Sequence, residues 1–232
     1  IQKYISALKN SEYFPNIVSR AEEDRSFTVK NIMTTVAKLT SKDIFGLEKY
    51  LSWGVDVRWR PVVGSDHRQN YIQQMNDYFD GLGVRRTVRE RASIVAEELL
   101  MNAIYDAPVA RDGTSLFNHL SRQTSIFLKP NQQGKIRYAT DGMVMAISVE
   151  DPFGSLDGEV ILRYLESCYN NQAGVFNKEK GGAGRGLHQI IENSDLVVFN
   201  ISPRVKTEVI ALFNIDNKSS GDKTPSFHLF VA

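Results

Sequence analysis

Apolar residues recur along this chain with two different periods, and these periods predict where it forms helices and strands. Spacings of three and four over residues 27–39 and 42–53 predict two helices near the start. Residues 55–63 alternate in the manner of a half-buried strand, and Pro61 favours a sheet edge because proline cannot donate a ladder hydrogen bond. Residues 66–82 return to the helical period. The first third of the chain is therefore predicted to be mostly helical, with one edge strand.

The second half of the chain carries mainly strand patterns. Residues 134–140 and 143–150 flank Asp141-Gly142, a dipeptide that favours a tight turn, so they predict a hairpin. In the second of these strands alternate positions are apolar, which indicates one core face and an end at Asp151. Further strands are predicted over residues 196–201, 207–215 and 227–231, and further helices over residues 155–170 and 181–192.

The helix predicted over residues 86–108 has polar residues along its apolar side. At 100° per residue, its apolar stripe consists of Val88, Ala92, Val95, Leu99 and Ala103. Glu98, Asn102 and Asp106 follow one edge of this stripe, whereas Glu97 lies on the opposite side and is expected to face water. Burying a carboxylate or an amide costs several kcal/mol unless a partner satisfies it. Either a ligand or metal binds here, or the helix contains a hydrogen-bonded core asparagine.

Composition and charge exclude several classes of protein. The 232 residues include 28 Lys and Arg against 27 Asp and Glu, and this balance argues against nucleic acid as the main partner. No apolar run approaches the roughly 18 residues of a membrane span, so no membrane insertion is expected. The single cysteine, Cys168, rules out an internal disulfide and fits a cytoplasmic protein. The chain opens on Ile1 rather than Met, so we expect it to be part of a longer protein.

Three glycines, Gly182, Gly184 and Gly186, alternate just ahead of the helix near residue 190. They let backbone amides approach an anion without an intervening side chain, and the start of a helix attracts negative charge. The pattern therefore suits a phosphate group, although flexible hinges carry it too. It lacks the Lys-Ser/Thr of a Walker motif and the first strand of a dinucleotide fingerprint, so a nucleotide would be bound in another mode.

Several of these motifs follow one another in a characteristic order. They are Glu98-x-x-x-Asn102, the strand-terminal Asp151 with Gly154, the G-x-G-x-G-L motif ending at Leu187, and Thr207 at the start of a late strand. In this order the sequence resembles the GHKL superfamily, which includes the ATP-binding domains of DNA gyrase, heat-shock chaperones, histidine kinases and serine-kinase anti-sigma factors. The resemblance covers roughly residues 55–215.

The resemblance implies a Bergerat fold, an α+β two-layer α/β sandwich with a mixed, mostly antiparallel sheet and one layer of helices. This ATP-binding domain would span residues 54–232, with a lid at about 170–181, and residues 1–53 would form a helical linker or packing arm. The segment LTSKDIFGLEKYL at residues 39–51 also resembles a bacterial subgroup in which such a domain follows a response-regulator receiver. A receiver domain or another protein partner is therefore expected, and a homodimer is compatible with this picture.

Individual residues receive roles from the same resemblance. Asn102 would coordinate Mg²⁺ bridging the phosphates, and Asp151 would accept a hydrogen bond from the adenine amino group, supported by Thr207. Glu98 holds the position of the general base in members that hydrolyse ATP or phosphorylate serine. Asp106, one turn past Asn102, would order water or metal. The phosphate cradle would consist of Gly182, Gly184, Gly186 and Leu187.

The chain departs from the family pattern directly after the aspartate. Phe153 and Ser155 replace the two glycines of D-x-G-x-G, and Gly154 alone offers flexibility. Phe153 either stacks near the adenine or belongs to the core. Three basic residues near the glycine motif either contact a terminal phosphate or are solvated surface charges: Lys178, Lys180 and Arg185.

The predicted function is that of a Mg-ATP-binding, histidine-kinase-like ATPase or protein kinase domain in bacterial signal transduction. It would transfer the γ-phosphate to water or to a hydroxyl of a partner protein, with catalysis by positioning and charge neutralisation. The alternative is a non-catalytic module that binds ATP or ADP and regulates a partner through lid closure. Glu98 favours the enzyme, whereas the altered sequence after Asp151 and the missing acceptor histidine keep the alternative open.

Overall fold

A single sheet forms the centre of the computed structural model, which describes residues 16–17, 25–162, 183–215 and 226–232. Its strands are β1 (Asn16–Ile17), β2 (Arg58–Val62), β3 (Gly134–Thr140), β4 (Val144–Asp151), β5 (Leu196–Ser202), β6 (Lys206–Asn214) and β7 (Ser226–Val231). They are ordered β1-β7-β5-β6-β4-β3-β2. Strands β5 and β7 pair in parallel and the other neighbours are antiparallel, so the predicted mixed, mostly antiparallel sheet is confirmed.

Helices cover one face of this sheet and complete the predicted two-layer α/β sandwich, while the first helix lies on the other face. The α-helices are α1 (Arg25–Ser41), α2 (Arg68–Gly81), α3 (Arg86–Met101) and α4 (Ala183–Asn193). Helices α2, α3 and α4 share one hydrophobic core with the sheet. A π-helical turn, Asn102–Asp106, continues α3, and residues 158–162 are also helical. Among the described residues, no helix combines the length and apolar character needed to cross a membrane.

Strand β4 is buried on both of its faces. Ile147 and Val149 pack in the core beneath the helices, as the alternation predicts. Ala146, however, points to the other face and belongs to a second core with Leu47 and Tyr50. The prediction of one core face is therefore incomplete, because the segment before β2 covers the second face of the sheet.

The helix predicted over residues 42–53 is wrong. Only a 3-10 turn, Leu47–Tyr50, forms in this stretch. Lys42 and Gly46, which precede this turn, have φ angles of 57° and 108°. These positive angles are incompatible with a continuous right-handed helix. The Gly46 amide donates a 2.7 Å hydrogen bond to the Glu208 carboxylate on β6. The apolar spacing of three and four thus reflects contacts with the sheet rather than a helix.

The predicted edge strand is confirmed in position but not in its burial pattern. Strand β2 ends the sheet and carries Pro61. Its first four residues are exposed and Val62 alone is buried, so the alternation does not produce a half-buried face. The predicted lid at residues 170–181, with Lys178 and Lys180, lies outside the described residues, as does Gly182.

Candidate functional site

Helix α3 and the π turn that follows it carry three of the polar residues selected from the sequence. The Asn102 amide still donates to the carbonyls of Glu98 and Leu99 in the α-helical manner. The Ala107 amide then donates to the Asn102 carbonyl over 2.8 Å, which is the i to i+5 bond of a π turn. Single π turns inside helices are frequent at functional sites. This one lies at the residues that the sequence singled out.

One cavity of about 190 Å³ brings five predicted site residues together. They are Asn102, Asp106, Asp151, Leu187 and Thr207. The remaining wall is mostly apolar and includes Leu99, Val149, Ile161, Ile190, Phe199 and Val209. Small-molecule sites typically combine such apolar walls with a few convergent polar groups, in volumes of about 300–1,000 Å³. The cavity is smaller than that range, so it suits part of a ligand, such as a flat ring system, better than a whole nucleotide.

Asp151 is the most strongly perturbed group in this cavity. Burial raises the pKa of its carboxyl to about 6, against the opposing effect of hydrogen bonds from the Phe153 and Gly154 amides. The Phe153 amide donates to Asp151 Oδ1 over 3.0 Å. A buried carboxylate that is still largely ionised at neutral pH is a strong hydrogen-bond acceptor. It is therefore suited to bind a donor group that enters the cavity.

Thr207 lies beside Asp151, as the sequence predicts. The two residues face each other in the register of β4 and β6. The buried Thr207 hydroxyl oxygen has no hydrogen-bond partner among the described residues. Such a hydroxyl can orient a ligand or a water molecule next to the carboxylate.

Asp106 is paired with Arg122, a residue that the sequence did not single out. Arg122 Nη2 lies 2.7 Å and 2.8 Å from the two carboxylate oxygens of Asp106. Burial raises the pKa of the Asp106 carboxyl, and the guanidinium partly offsets this rise. The Arg122 plane also lies 4.9 Å from the centroid of the Tyr105 ring, while its buried Nη1 has no hydrogen-bond partner among the described residues. A guanidinium therefore balances the Asp106 charge at the edge of the cavity.

Gly186 brings the first turn of α4 into contact with α3. A Cβ atom added at Gly186 would lie 2.5 Å from Glu98 Oε2 and 3.8 Å from Asn102 Oδ1. A side chain at this position would therefore displace the Glu98 carboxylate. Gly184 and Arg185 lie in the same helical turn of α4. The end of the glycine motif thus meets the carboxylate and the amide that the sequence selected.

Three other residues differ from expectation. Glu97 does not simply face water, because its carboxylate pairs with Arg68 of α2 at 3.0 Å and is only 31% exposed. Phe153 lines a separate surface cleft of about 970 Å³ rather than the cavity with Asp151. Gly154 also lines that cleft, and its φ of 57° and the close approach of the Ser202 carbonyl leave no room for a side chain. Gly154 therefore shapes the loop after β4 rather than the cavity.

The donor atoms in this region suit a metal ion that arrives with a ligand. Among the described residues, no cluster of three or more His, Cys, Asp and Glu could hold a metal ion. Asn102 Oδ1 and Glu98 Oε2 are oxygen donors on neighbouring turns of one helix, and both lie against Gly186. Mg²⁺ prefers oxygen donors and commonly takes only one or two from the protein and the rest from phosphates and water. Asn102 therefore fits Mg²⁺ that is bound mainly through phosphate oxygens and water.

Comparison of the chain with models of protein families and with curated protein sequences finds no match. The chemistry of the cavity and of the Gly186 contact is therefore what bears on the function.

Proposed function

We propose that this chain is a GHKL-type Mg-ATP-binding domain of bacterial signal transduction, acting as an ATPase or a serine/threonine-type protein kinase in the cytoplasm. The observation that carries the proposal is the arrangement around α3. The polar edge of α3 faces a cavity that contains the buried Asp151 carboxylate. Gly186, at the start of α4, contacts Glu98 on the same edge of α3. A nucleotide-binding site needs both features: a pocket with a hydrogen-bond acceptor for the base, and backbone amides that the phosphates can approach.

Asp151 would provide the selectivity for adenine. Its carboxylate is buried and accepts hydrogen bonds, so it suits the exocyclic amino group of adenine. Guanine has a carbonyl oxygen at the corresponding position, and two acceptors facing each other in a buried site are unfavourable. The chain should therefore bind ATP and ADP in preference to GTP and GDP.

Asn102 and Glu98 would act at the phosphate end of the same nucleotide. Bound Mg²⁺ would neutralise phosphate charge, with the Asn102 side-chain oxygen among its ligands. Glu98 would take the proton from the attacking water or hydroxyl oxygen, and the missing side chain of Gly186 leaves room for this carboxylate against α4. Arg122 pairs with Asp106 and so balances the charge of this carboxylate near the site. These residues supply orientation and charge compensation, which are the main requirements of phosphoryl transfer.

Nucleotide titration tests the proposal. Calorimetric titration with Mg-ATP and Mg-GTP should show binding of the adenine nucleotide, and Asn102→Ala should weaken it at least tenfold. Asn70→Ala is the matched control, because Asn70 is exposed on α2 and away from the cavity. Absence of adenine-nucleotide binding would refute the function, and equal affinity for GTP would remove Asp151 from the binding site.

Incubation with γ-labelled ATP, with and without candidate partner proteins, then tests transfer of the phosphate. Release of labelled phosphate or labelling of a partner would support the enzyme. Nucleotide binding without either result would support the non-catalytic module. A receiver domain or other protein partner remains part of the proposal and is the first candidate to add.

A further inference from the structure

The loop that leaves β4 after Asp151 is held in place at two points. At its start, the Phe153 amide donates to the Asp151 carboxylate over 3.0 Å. Further along, the Gly154 carbonyl accepts a 3.0 Å hydrogen bond from the Arg204 amide in the turn between β5 and β6. The residue that follows Gly154 therefore has a defined position at the end of the sheet.

That residue, Ser155, connects the loop to the end of the π turn. Its hydroxyl donates a 2.8 Å hydrogen bond to the Ala107 carbonyl, 48 residues away in the sequence. The Ala107 amide donates to the Asn102 carbonyl over 2.8 Å, which is the bond that closes the π turn. Because the last carbonyls of a helix have no partner within it, they depend on side chains or water. Both backbone polar groups of Ala107 are thus satisfied, one of them by Ser155.

The π turn determines which residues after α3 face the cavity. A π turn is wider than an α-helical turn, so it changes which residues share one face of the helix. Asn102 and Asp106, its first and last residues, both line the cavity, together with Ala107 and Ser155. Because π helices are rare and occur mostly as single turns, a contact that holds the end of this turn is expected to stabilise it.

Ser155 is also one of the two residues that depart from the D-x-G-x-G pattern. A glycine at this position has no side chain and could not donate to the Ala107 carbonyl. The connection between the loop and the π turn therefore depends on a serine that the sequence pattern does not call for.

From these contacts we propose that Ser155 is a positioning residue, which fixes the Asp151 end of the cavity relative to its Asn102 end by holding the π turn. A nucleotide would contact both ends at once, so a fixed separation lowers the cost of ordering them on binding. The effect on nucleotide binding rests on the proposed function. The hold on the π turn does not, because it can be measured without a nucleotide.

Hydrogen exchange of the Ala107 amide, followed by NMR on the nucleotide-free chain, tests the hold on the turn. Ser155→Ala should raise the exchange rate by roughly two- to tenfold, which corresponds to the net contribution of one hydrogen bond. Ser155→Thr keeps the hydroxyl and should exchange like the wild type. Ser93→Ala is the matched control, because the Ser93 hydroxyl donates to the Arg89 carbonyl over 2.9 Å on α3, away from the cavity.

Calorimetric titration of the same variants with adenosine and with Mg-ATP tests the effect on binding. Ser155→Ala should lower the affinity for Mg-ATP by roughly two- to tenfold, and Ser155→Thr should restore it. The affinity for adenosine should not change, because the loop stays fixed at Gly154 and adenosine has no phosphates to bring a metal to Asn102. Ser93→Ala should bind both ligands like the wild type.

Unchanged exchange of the Ala107 amide in Ser155→Ala would overturn the inference, as would unchanged affinity for Mg-ATP. Equal losses of adenosine and Mg-ATP affinity would overturn it too, because they would indicate a general disturbance of the cavity. A wild type that binds neither ligand would refute the proposed function and the effect on binding with it. Exchange of the Ala107 amide would still decide whether Ser155 holds the π turn.

Discussion

Replacing Asp151 with asparagine should make the ligand-free protein more stable while removing its ability to bind adenine nucleotides. Burial raises the pKa of the Asp151 carboxyl from 3.8 to about 6, so the folded protein bears the cost of an ionised, poorly solvated carboxylate at neutral pH. At about 1.36 kcal/mol per pKa unit, this cost is about 3 kcal/mol. Asparagine has the shape of the protonated acid and keeps an oxygen for the Phe153 amide. Asp151→Asn should therefore gain up to about 3 kcal/mol of unfolding free energy at pH 7.5.

The pH dependence of this gain has a definite sign. Because the folded-state pKa of Asp151 is raised, the folded wild type binds more protons than the unfolded chain between about pH 4 and pH 6. Wild-type stability relative to the variant should therefore fall as the pH rises through this window. The difference between the two proteins should be complete above about pH 6 and should vanish near pH 4. Taking the difference cancels the titration of groups that both proteins share.

Urea denaturation at pH 7.5 and at pH 4 measures this difference, with Asp157→Asn as the control. Asp157 is exposed, so the same loss of one charge there should change stability little. Mg-ATP at about 100 times its dissociation constant should stabilise the wild type by about 2.7 kcal/mol at pH 7.5 and leave Asp151→Asn unchanged. A variant less stable than the wild type at pH 7.5, or a difference that does not depend on pH, would refute the burial argument.

Two further substitutions test contacts at opposite faces of the sheet. Gly186→Ala should change the stability by no more than about 1 kcal/mol, since alanine suits a helix, but it should lower phosphate transfer at least tenfold by displacing the Glu98 carboxylate. Gly81→Ala is the control, because a Cβ atom at Gly81 would point into open space. Equal activity of the two variants would contradict the contact between Gly186 and Glu98. Burial lowers the pKa of Lys38 to about 7, so the unfolded chain binds more protons between about pH 7 and pH 10. Urea denaturation should therefore show the wild type gaining stability relative to Lys38→Met as the pH rises through that range, and a slope of the opposite sign would show that Lys38 is not desolvated.

The sequence predicts the sheet well because its strands are defined by local signals. Asp141-Gly142 fixes the β3–β4 hairpin through turn geometry, with Gly142 at a φ of 87°. The helix predicted over residues 42–53 does not form, because the apolar spacing there has a different cause. Gly46 leaves helical geometry to donate to the buried Glu208 carboxylate, a partner 162 residues away. Periodicity cannot distinguish an apolar face made by a helix from one made by an irregular segment lying on a sheet.

Periodicity alone groups only the candidate site residues that share one element, whereas Asp151, Leu187 and Thr207 were selected through the family resemblance. Asn102 and Asp106 lie on consecutive turns, so helical spacing alone groups them. Arg122 belongs to an irregular segment, and only the course of the chain brings it to Asp106. The prediction that Glu97 faces water is wrong for the same reason, since the projection of one helix contains no information about Arg68 of α2. Contacts between elements are the part of the site that a single sequence does not encode locally.

Glu97 and Glu98 are adjacent on α3 and together separate the enzyme from the non-catalytic module. The Glu98 carboxylate lies beside Gly186, whereas the Glu97 carboxylate binds Arg68 on the side toward α2. A general base acts mainly in the transition state. Glu98→Gln should therefore keep ATP affinity within a few-fold and lower turnover by about 10²–10⁴. Glu97→Gln removes the same charge and should cost at most about 1 kcal/mol of stability, with turnover unchanged.

The comparison requires calorimetry for ATP affinity and release or transfer of γ-labelled phosphate for turnover, with both variants in one series. If the two variants lose turnover equally, the effect is one of net charge near the helix rather than of a positioned base. If the wild type binds Mg-ATP but transfers no phosphate to water or to any candidate partner, Glu98 has no proton to accept. The Glu98 carboxylate would then act on the closure of α4 through Gly186, and the chain would regulate its partner by binding ATP alone.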